Sequence, residues 1–67
     1  MRRKRLARIH QTEGRPTLEG ILVARRPEYR LQAPKLIEGE DRSVPLDGEV
    51  EVLREHVIFI QLLAKAA

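Results

Sequence analysis

The feature that most restricts the fold of this chain is the spacing of its apolar residues, which form short alternating or continuous runs. Three of these runs are Leu6 to Gln11, Thr17 to Arg26 and the nine residues YRLQAPKLI that begin at Tyr29. Runs of this length, rich in Leu, Ile and Val and bounded by Gly or Pro, are typical of strands. We therefore predict an all-β protein without a long amphipathic helix.

Two residues within these runs predict irregular strands. Gly20 lies inside the second run, where a glycine marks a bulge or a sharp bend of the sheet. Pro34 has no N–H to donate to a ladder, so the third strand is either interrupted there or lies at a sheet edge. The polar segment from Glu38 to Gly48 is predicted to be a loop that ends in an Asp-Gly turn.

The last third of the chain predicts two further strands. Val50 and Val52 alternate with acidic residues and form a fourth strand, and the short segment Arg54 to His56 is predicted to be a single helical turn or a tight connection. The fifth strand, Val57 to Leu63, is apolar on both faces. Five short strands and a bend predict a small closed or nearly closed antiparallel barrel, because the alternative, an open meander, would leave two long edges.

Alternation assigns the faces of the last strand. Successive side chains of a strand point to opposite sides, so Ile58 and Ile60 are expected to fill the core while Val57 and Phe59 face away from it. The predicted core consists of Leu18, Leu22, Leu31, Val50, Val52, Ile58 and Ile60.

The face of the fifth strand that points away from the core is also apolar, so another segment or chain is expected to bury it. Either a partner subunit buries it, with Val57, Phe59 and Leu63 as the predicted interface, or the N-terminal segment Leu6 to Ile9 folds across it. The length of the chain favours a partner, because a domain of 67 residues has a small core and usually gains stability from disulfides, metals or association.

Disulfides are excluded because the sequence has no cysteine. Its two histidines, His10 and His56, lack the spacing of a metal site. The acidic residues of the polar loop, Glu38, Glu40, Asp41 and Asp47, match no calcium-binding loop. We expect neither a metal nor another cofactor, and association remains as the source of additional stability.

Basic residues are concentrated at the N-terminus. Of thirteen lysines and arginines, five lie within the first eight positions, and residues 9–67 hold eight basic and ten acidic residues and so carry −2. We predict a basic flexible arm over 1–5, a barrel domain over 6–63 and a C-terminal tail over 64–67. The arm is either a solvated tail or a segment attracted to phosphate or to an acidic surface. The predicted nucleic-acid or polyanion-binding residues are Arg2, Arg3, Lys4, Arg5, Arg8, Arg25, Arg26 and Arg30.

The sequence predicts a protein that is not an enzyme. Ser43 is the only serine and has no histidine near it in sequence, and a core of this size leaves little room for a substrate pocket. No apolar run approaches the ~20 residues that span a bilayer, and no apolar segment follows the basic start as in a signal peptide. We expect a soluble protein in the cytoplasm, or in a virion assembled there, that takes no small-molecule substrate.

The segments LEGILVARRPEYRLQAPKLI and VEVLREHVIFIQ, separated by the polar loop, resemble the Sm-like family of small barrels of the Src-homology-3 type. Gly20 matches the family's bend glycine, Tyr29-Arg30-Leu31 matches the start of strand three, and Leu53-Arg54 matches the Ile-Arg of the second motif. The resemblance covers residues 17 to 63. It implies a five-stranded barrel, RNA or DNA binding as one function, and ring assembly in which strand five of one subunit pairs with strand four of the next.

The chain departs from this family at the residues that read RNA. Arg26 and Arg30 occupy the positions of the family's aspartate and asparagine, and Glu55 replaces the glycine of its Arg-Gly pair. In its short length, its arginine content and its lack of cysteine, the chain also resembles small barrel proteins of actinobacterial phages. We therefore favour a structural or assembly protein, a homo-oligomer or part of a larger assembly, over a nucleic-acid binder.

Overall fold

The computed structural model describes residues 4–63, which form an antiparallel β-structure with a single short helical turn. Its strands are β1 (Arg5–Gln11), β2 (Thr17–Ala24), β3 (Tyr29–Ile37), β4 (Ser43–Pro45), β5 (Val50–Val52) and β6 (Val57–Leu62). A 3-10 turn, Arg54–His56, joins β5 to β6. The predicted all-β class and the helical turn are confirmed. The predicted tail, 64–67, and the first three residues of the predicted arm lie outside the described part of the chain.

The six strands form one sheet in the order β4-β3-β2-β1-β6, and β5 pairs with the beginning of β3. The prediction of five strands is wrong by one, because β4 lies within the segment predicted to be a polar loop. Its three residues are all exposed, so they carry no pattern of burial. They are in a strand because they pair with Lys35–Ile37 of β3, a contact that the local sequence does not encode.

Gly20 lies at a β-bulge, as predicted. The pairing of β2 with β3 shifts its register between Glu19 and Ile21. A Cβ atom at Gly20 would lie 2.9 Å from the carbonyl oxygen of Gln32 and 3.2 Å from the Cα of Pro34. Glycine is required here because the backbone of β3 approaches too closely for any side chain.

Pro34 neither ends β3 nor marks a sheet edge, because β3 continues through it and only the register with β2 shifts there. It is fully buried and lies between the part of β3 that pairs with β5 and the part that pairs with β4. The N–H of Leu46 donates a hydrogen bond to its carbonyl oxygen over 2.9 Å, so Pro34 is tied to the loop that follows β4. The missing N–H is tolerated because the ladder is already irregular at this point.

The core lies on one face of the sheet. Its buried residues are Ala7, Ile9, Leu18, Leu22, Leu31 and Val52, with Val50, Val57 and Ile60 among the partly buried residues packed against them. The expected core is thus confirmed for Leu18, Leu22, Leu31 and Val52. The prediction is wrong for Ile58, whose side chain is exposed.

A bulge between β1 and β6 explains the error. Phe59 pairs with His10 and Val57 pairs with Gln11, so Ile58 is an extra residue without a partner on β1. An inserted residue breaks strict alternation. Val57 and Ile60 therefore both pack against the core, and the expectation that Val57 faces away from the core together with Phe59 is wrong.

The N-terminal segment does not cover a face of the last strand. β1 lies in the sheet between β2 and β6, and its Ala7 and Ile9 are fully buried in the core. β1 begins at Arg5, one residue before the boundary predicted for the domain. No helix within residues 4–63 is long and apolar enough to cross a membrane.

Candidate interaction surfaces

β6 is an edge strand within the part of the chain that the structure describes. It pairs with β1 on one side, and no other strand of residues 4–63 pairs with its second side. The N–H of Leu63 donates to the carbonyl oxygen of Leu6 over 2.9 Å. Since backbone groups of successive residues in an antiparallel strand point to opposite sides, the N–H of Leu62 points to the open edge.

The open edge carries three of the exposed large apolar side chains of the described residues. Ile58 is 61% exposed, Phe59 54% and Leu62 42%. We call these three residues the β6 surface. No charged residue occurs from 57 to 63, whereas exposed edge strands are usually protected by charge, proline or short length. The β6 surface thus has the properties of a strand edge that pairs with another chain.

Phe59 is held in place by its neighbour on β1. Its ring stacks on that of His10 with a centroid separation of 4.2 Å and an interplanar angle of 16°. The Nε2 of His10 lies 3.2 Å from the Oε1 of Gln61, a hydrogen bond that further fixes the imidazole ring. An ordered aromatic side chain loses little conformational entropy when a partner covers it, which favours its use in an interface.

The predicted interface and the β6 surface share only Phe59. Val57 packs against the core and Leu63 is half-buried, so neither is as accessible as expected. Sequence reasoning missed Ile58 and Leu62. Only their apolar type was visible in the sequence, because the bulge that leaves Ile58 without a partner on β1 arises from the pairing of the two strands.

A second candidate surface is basic. Arg5 pairs with Leu22 near the end of β2, and Arg25 and Arg26 follow β2 directly. Lys4 and Arg5 therefore lie near Arg25 and Arg26, although they are distant in sequence. All four are exposed. We call Lys4, Arg5, Arg25, Arg26 and Arg54 the arginine end.

Arg54 is attached to this end by three contacts. Its Nη1 donates to the carbonyl oxygen of Arg25 over 2.6 Å, and its backbone N–H donates to Oε1 of Glu28 over 2.7 Å. Its guanidinium also lies 4.8 Å from the centroid of the Tyr29 ring, a cation–π contact. Arg54 was not among the predicted binding residues, since nothing in the sequence indicates that it meets the β2–β3 connection.

Two predicted polyanion-binding residues are paired with carboxylates instead. Arg8 binds Glu19 through Nη2 and Oε1 over 2.6 Å, and Glu19 is partly buried. The Nε of Arg30 lies 3.9 Å from Oε1 of Glu49, and its Nη2 lies 3.4 Å from Oε2 of Glu51. A neutralised guanidinium attracts phosphate less than a free one. Arg2 and Arg3 lie outside the described residues.

The residues considered for chemistry are dispersed. Ser43 is exposed in β4, and His56 lies 3.4 Å from Glu55 in the helical turn. Across residues 4–63, no group of three or more His, Asp or Glu side chains is placed to hold a metal ion.

Comparisons with protein-family models, with curated proteins and with solved structures find no match to this chain. The resemblance to the Sm-like family therefore stays a prediction that rests on the residues quoted for it.

Proposed function

We propose that this chain is a non-catalytic small β-barrel that associates through the β6 surface, with itself or within a larger protein assembly. The barrel is supported by the connection at the ends of the sheet. β5 pairs with β3, β6 pairs with β1, and the 3-10 turn of only three residues joins β5 to β6. A sheet whose two sides are joined so closely encloses its core with few residues.

The observation that carries the proposal is the uncharged open edge of β6. Burial of apolar surface contributes about 25 cal/mol per Å². Covering Ile58, Phe59 and Leu62 together would contribute roughly a few kcal/mol, a considerable amount for so small a domain. The open backbone groups beside them add hydrogen bonds to a partner strand.

Solution mass at increasing concentration tests this proposal. We expect the mass from light scattering to rise above that of a monomer, and Phe59→Asp to abolish the rise. Val44→Asp is the matched control, because Val44 is an exposed apolar residue on β4, at the other end of the sheet order. A wild-type chain that stays monomeric at all concentrations would contradict self-association.

A second function, nucleic-acid binding, is favoured by the arginine end. Lys4, Arg5, Arg25 and Arg26 form no ion pair with a described carboxylate, so their charges remain available to phosphate groups. Each phosphate neutralised contributes about 0.9 to the slope of log affinity against log salt for duplex DNA.

The test compares binding of the wild type and of Arg25→Gln/Arg26→Gln to single-stranded and duplex DNA over a salt series. We expect weaker binding and a slope reduced by about 2 units in the double variant. Arg15→Gln, which removes a charge from the β1–β2 turn, should change neither. An effect of Arg15→Gln that is half that of the double variant, in proportion to the charge removed, would show that binding depends only on net charge and would overturn the site.

A further inference from the structure

We propose that β6 pairs antiparallel with β6 of a second copy around a two-fold axis at Ile60, so that the two sheets become continuous. This inference rests on the proposed function and specifies its partner. It names a second copy as the occupant of the open edge, and it fixes the register in which Ile58 of one copy faces Leu62 of the other.

The backbone of β6 permits this register. Leu63 donates to Leu6, and the N–H of Leu62 and, by alternation, that of Ile60 point to the open edge. In an antiparallel pair, two opposite residues that both point their N–H groups inward exchange two hydrogen bonds. An axis at Ile60 places this residue opposite its own counterpart, where both copies can donate and accept.

Strand length and charge favour β6 of the second copy, rather than its β4 or β5, as the strand that pairs with β6. β6 has six residues, whereas β4 and β5 have three each. β4 ends in Pro45, which cannot donate, and acidic Glu49 and Glu51 lie beside and within β5. Among the edges within residues 4–63, only another β6 has equal length, and pairing two uncharged strands places no like charges opposite each other.

The same register covers the exposed apolar side chains. Ile58 of one copy lies opposite Leu62 of the other on both sides of the axis, and Phe59 lies opposite Gln61. Every residue of the β6 surface thus obtains a neighbour from the partner. Pairing of two short edges buries less than the roughly 1,200 Å² of a stable interface. We therefore expect a weak dimer whose population rises with concentration.

A proline scan of the edge tests the backbone pairing. Leu62→Pro removes an N–H that β1 does not use and places the ring in the path of a partner strand. Leu62→Ala, the matched control, shortens the same side chain but keeps the N–H. We expect both variants to fold, as judged by circular dichroism. Leu62→Pro should dimerise at least roughly tenfold more weakly than Leu62→Ala, because the two-fold axis makes the variant dimer lose two hydrogen bonds of about 1 kcal/mol each.

Single cysteines test the register, because the natural chain has none. Ile58→Cys and Leu62→Cys are both at exposed positions. Directly opposite residues of an antiparallel pair have Cα atoms about 4.5 to 5.5 Å apart, within the range of a disulfide. We expect a covalent dimer under mild oxidation only when the two variants are mixed. Equal cross-linking of either variant alone would overturn the proposed axis.

The outcomes separate this inference from the proposed function. Suppose that the wild type associates and that Phe59→Asp prevents association. If mixing the cysteine variants then yields no covalent dimer, and Leu62→Pro dimerises as well as Leu62→Ala, the two-fold pairing is wrong while association through β6 stands. If the wild type is a monomer at every concentration and none of the cysteine samples cross-links, both are wrong.

Discussion

Gly20 is the residue at which sequence and packing agree most closely. A glycine within an apolar run predicted a bulge, and the register of β2 against β3 shifts at Gly20. There the carbonyl oxygen of Gln32 lies 2.9 Å from the position that a Cβ would occupy. A contact under 3 Å with a backbone oxygen cannot be relieved by rotation of a side chain. The backbone must move.

We predict that Gly20→Ala lowers the free energy of unfolding by at least about 2 kcal/mol, since overpacking a close contact costs typically 1–3 kcal/mol. Urea denaturation followed by circular dichroism measures this change. Gly39→Ala is the matched control, because a Cβ there has nothing within 4 Å. If both variants lost the same free energy of unfolding, the close approach of β3 would not be the reason that a glycine is needed at position 20.

Ala33 has a backbone conformation that suits glycine better than alanine. Its φ is 50°, in the left-handed region, which costs a residue with a Cβ about 1–2 kcal/mol. Glycine removes this cost but loses about 0.5–1 kcal/mol through the freedom of the unfolded chain. We predict that Ala33→Gly leaves the urea midpoint unchanged or raises it slightly. A clear decrease would show that the methyl group contributes packing that outweighs the strain.

At the scale of elements, the sequence was informative where the signal is local. Alternation located the strands, Gly20 located a bulge, and the short Arg54–His56 segment located the helical turn. β4 was missed because its residues become a strand only by pairing with β3. The faces of β6 were assigned incorrectly because the bulge at Ile58 arises from pairing with β1.

The candidate surfaces, too, could be predicted from the sequence only where they depend on local features. Phe59 was predicted from its type and position, and the structure exposes it on the outer face beside His10. The pairing of Arg8 with Glu19 joins residues eleven positions apart on neighbouring strands. The sequence alone gives no register between these strands, so it could not show which arginines are already neutralised.

The inward and outward residues of β6 should respond differently to the same substitution. Ile60 lies opposite fully buried Ile9 and packs against the core, so Ile60→Asp would place a charge beside apolar side chains. We predict a loss of more than about 3 kcal/mol, or complete unfolding. Thermal unfolding of Phe59→Asp should remain close to that of the wild type. Unfolding of a monomeric Phe59→Asp would assign Phe59 to the core instead.

At the scale of the whole molecule, charge is unevenly distributed. Lys4 and Arg5 lie near the basic residues of the β2–β3 connection, while Glu38, Glu40 and Asp41 lie beyond the other end of β3. Such asymmetry orients an approaching polyanion before contact is made.

Deletion of residues 1–4 tests this asymmetry without shortening β1, which begins at Arg5. We predict an unchanged circular dichroism spectrum and thermal midpoint, together with weaker binding to DNA. The slope of log affinity against log salt should fall by up to about 3 units, one for each basic residue removed. If the shortened chain loses its fold, these residues stabilise the sheet and the reading of the segment as a binding arm is wrong.

The hydrogen bond between Leu63 and Leu6 has a consequence for engineering. It places Leu6 of β1 beside Leu63, which follows β6, so a short linker can join the chain at these two points while it is opened elsewhere. The turn at Gly14 is suited to the new termini, because it is exposed and joins β1 to β2. We expect a circular permutant of this kind to retain the sheet, and residues 6–63 to tolerate insertion into a surface loop of a host protein, because the points of attachment are adjacent.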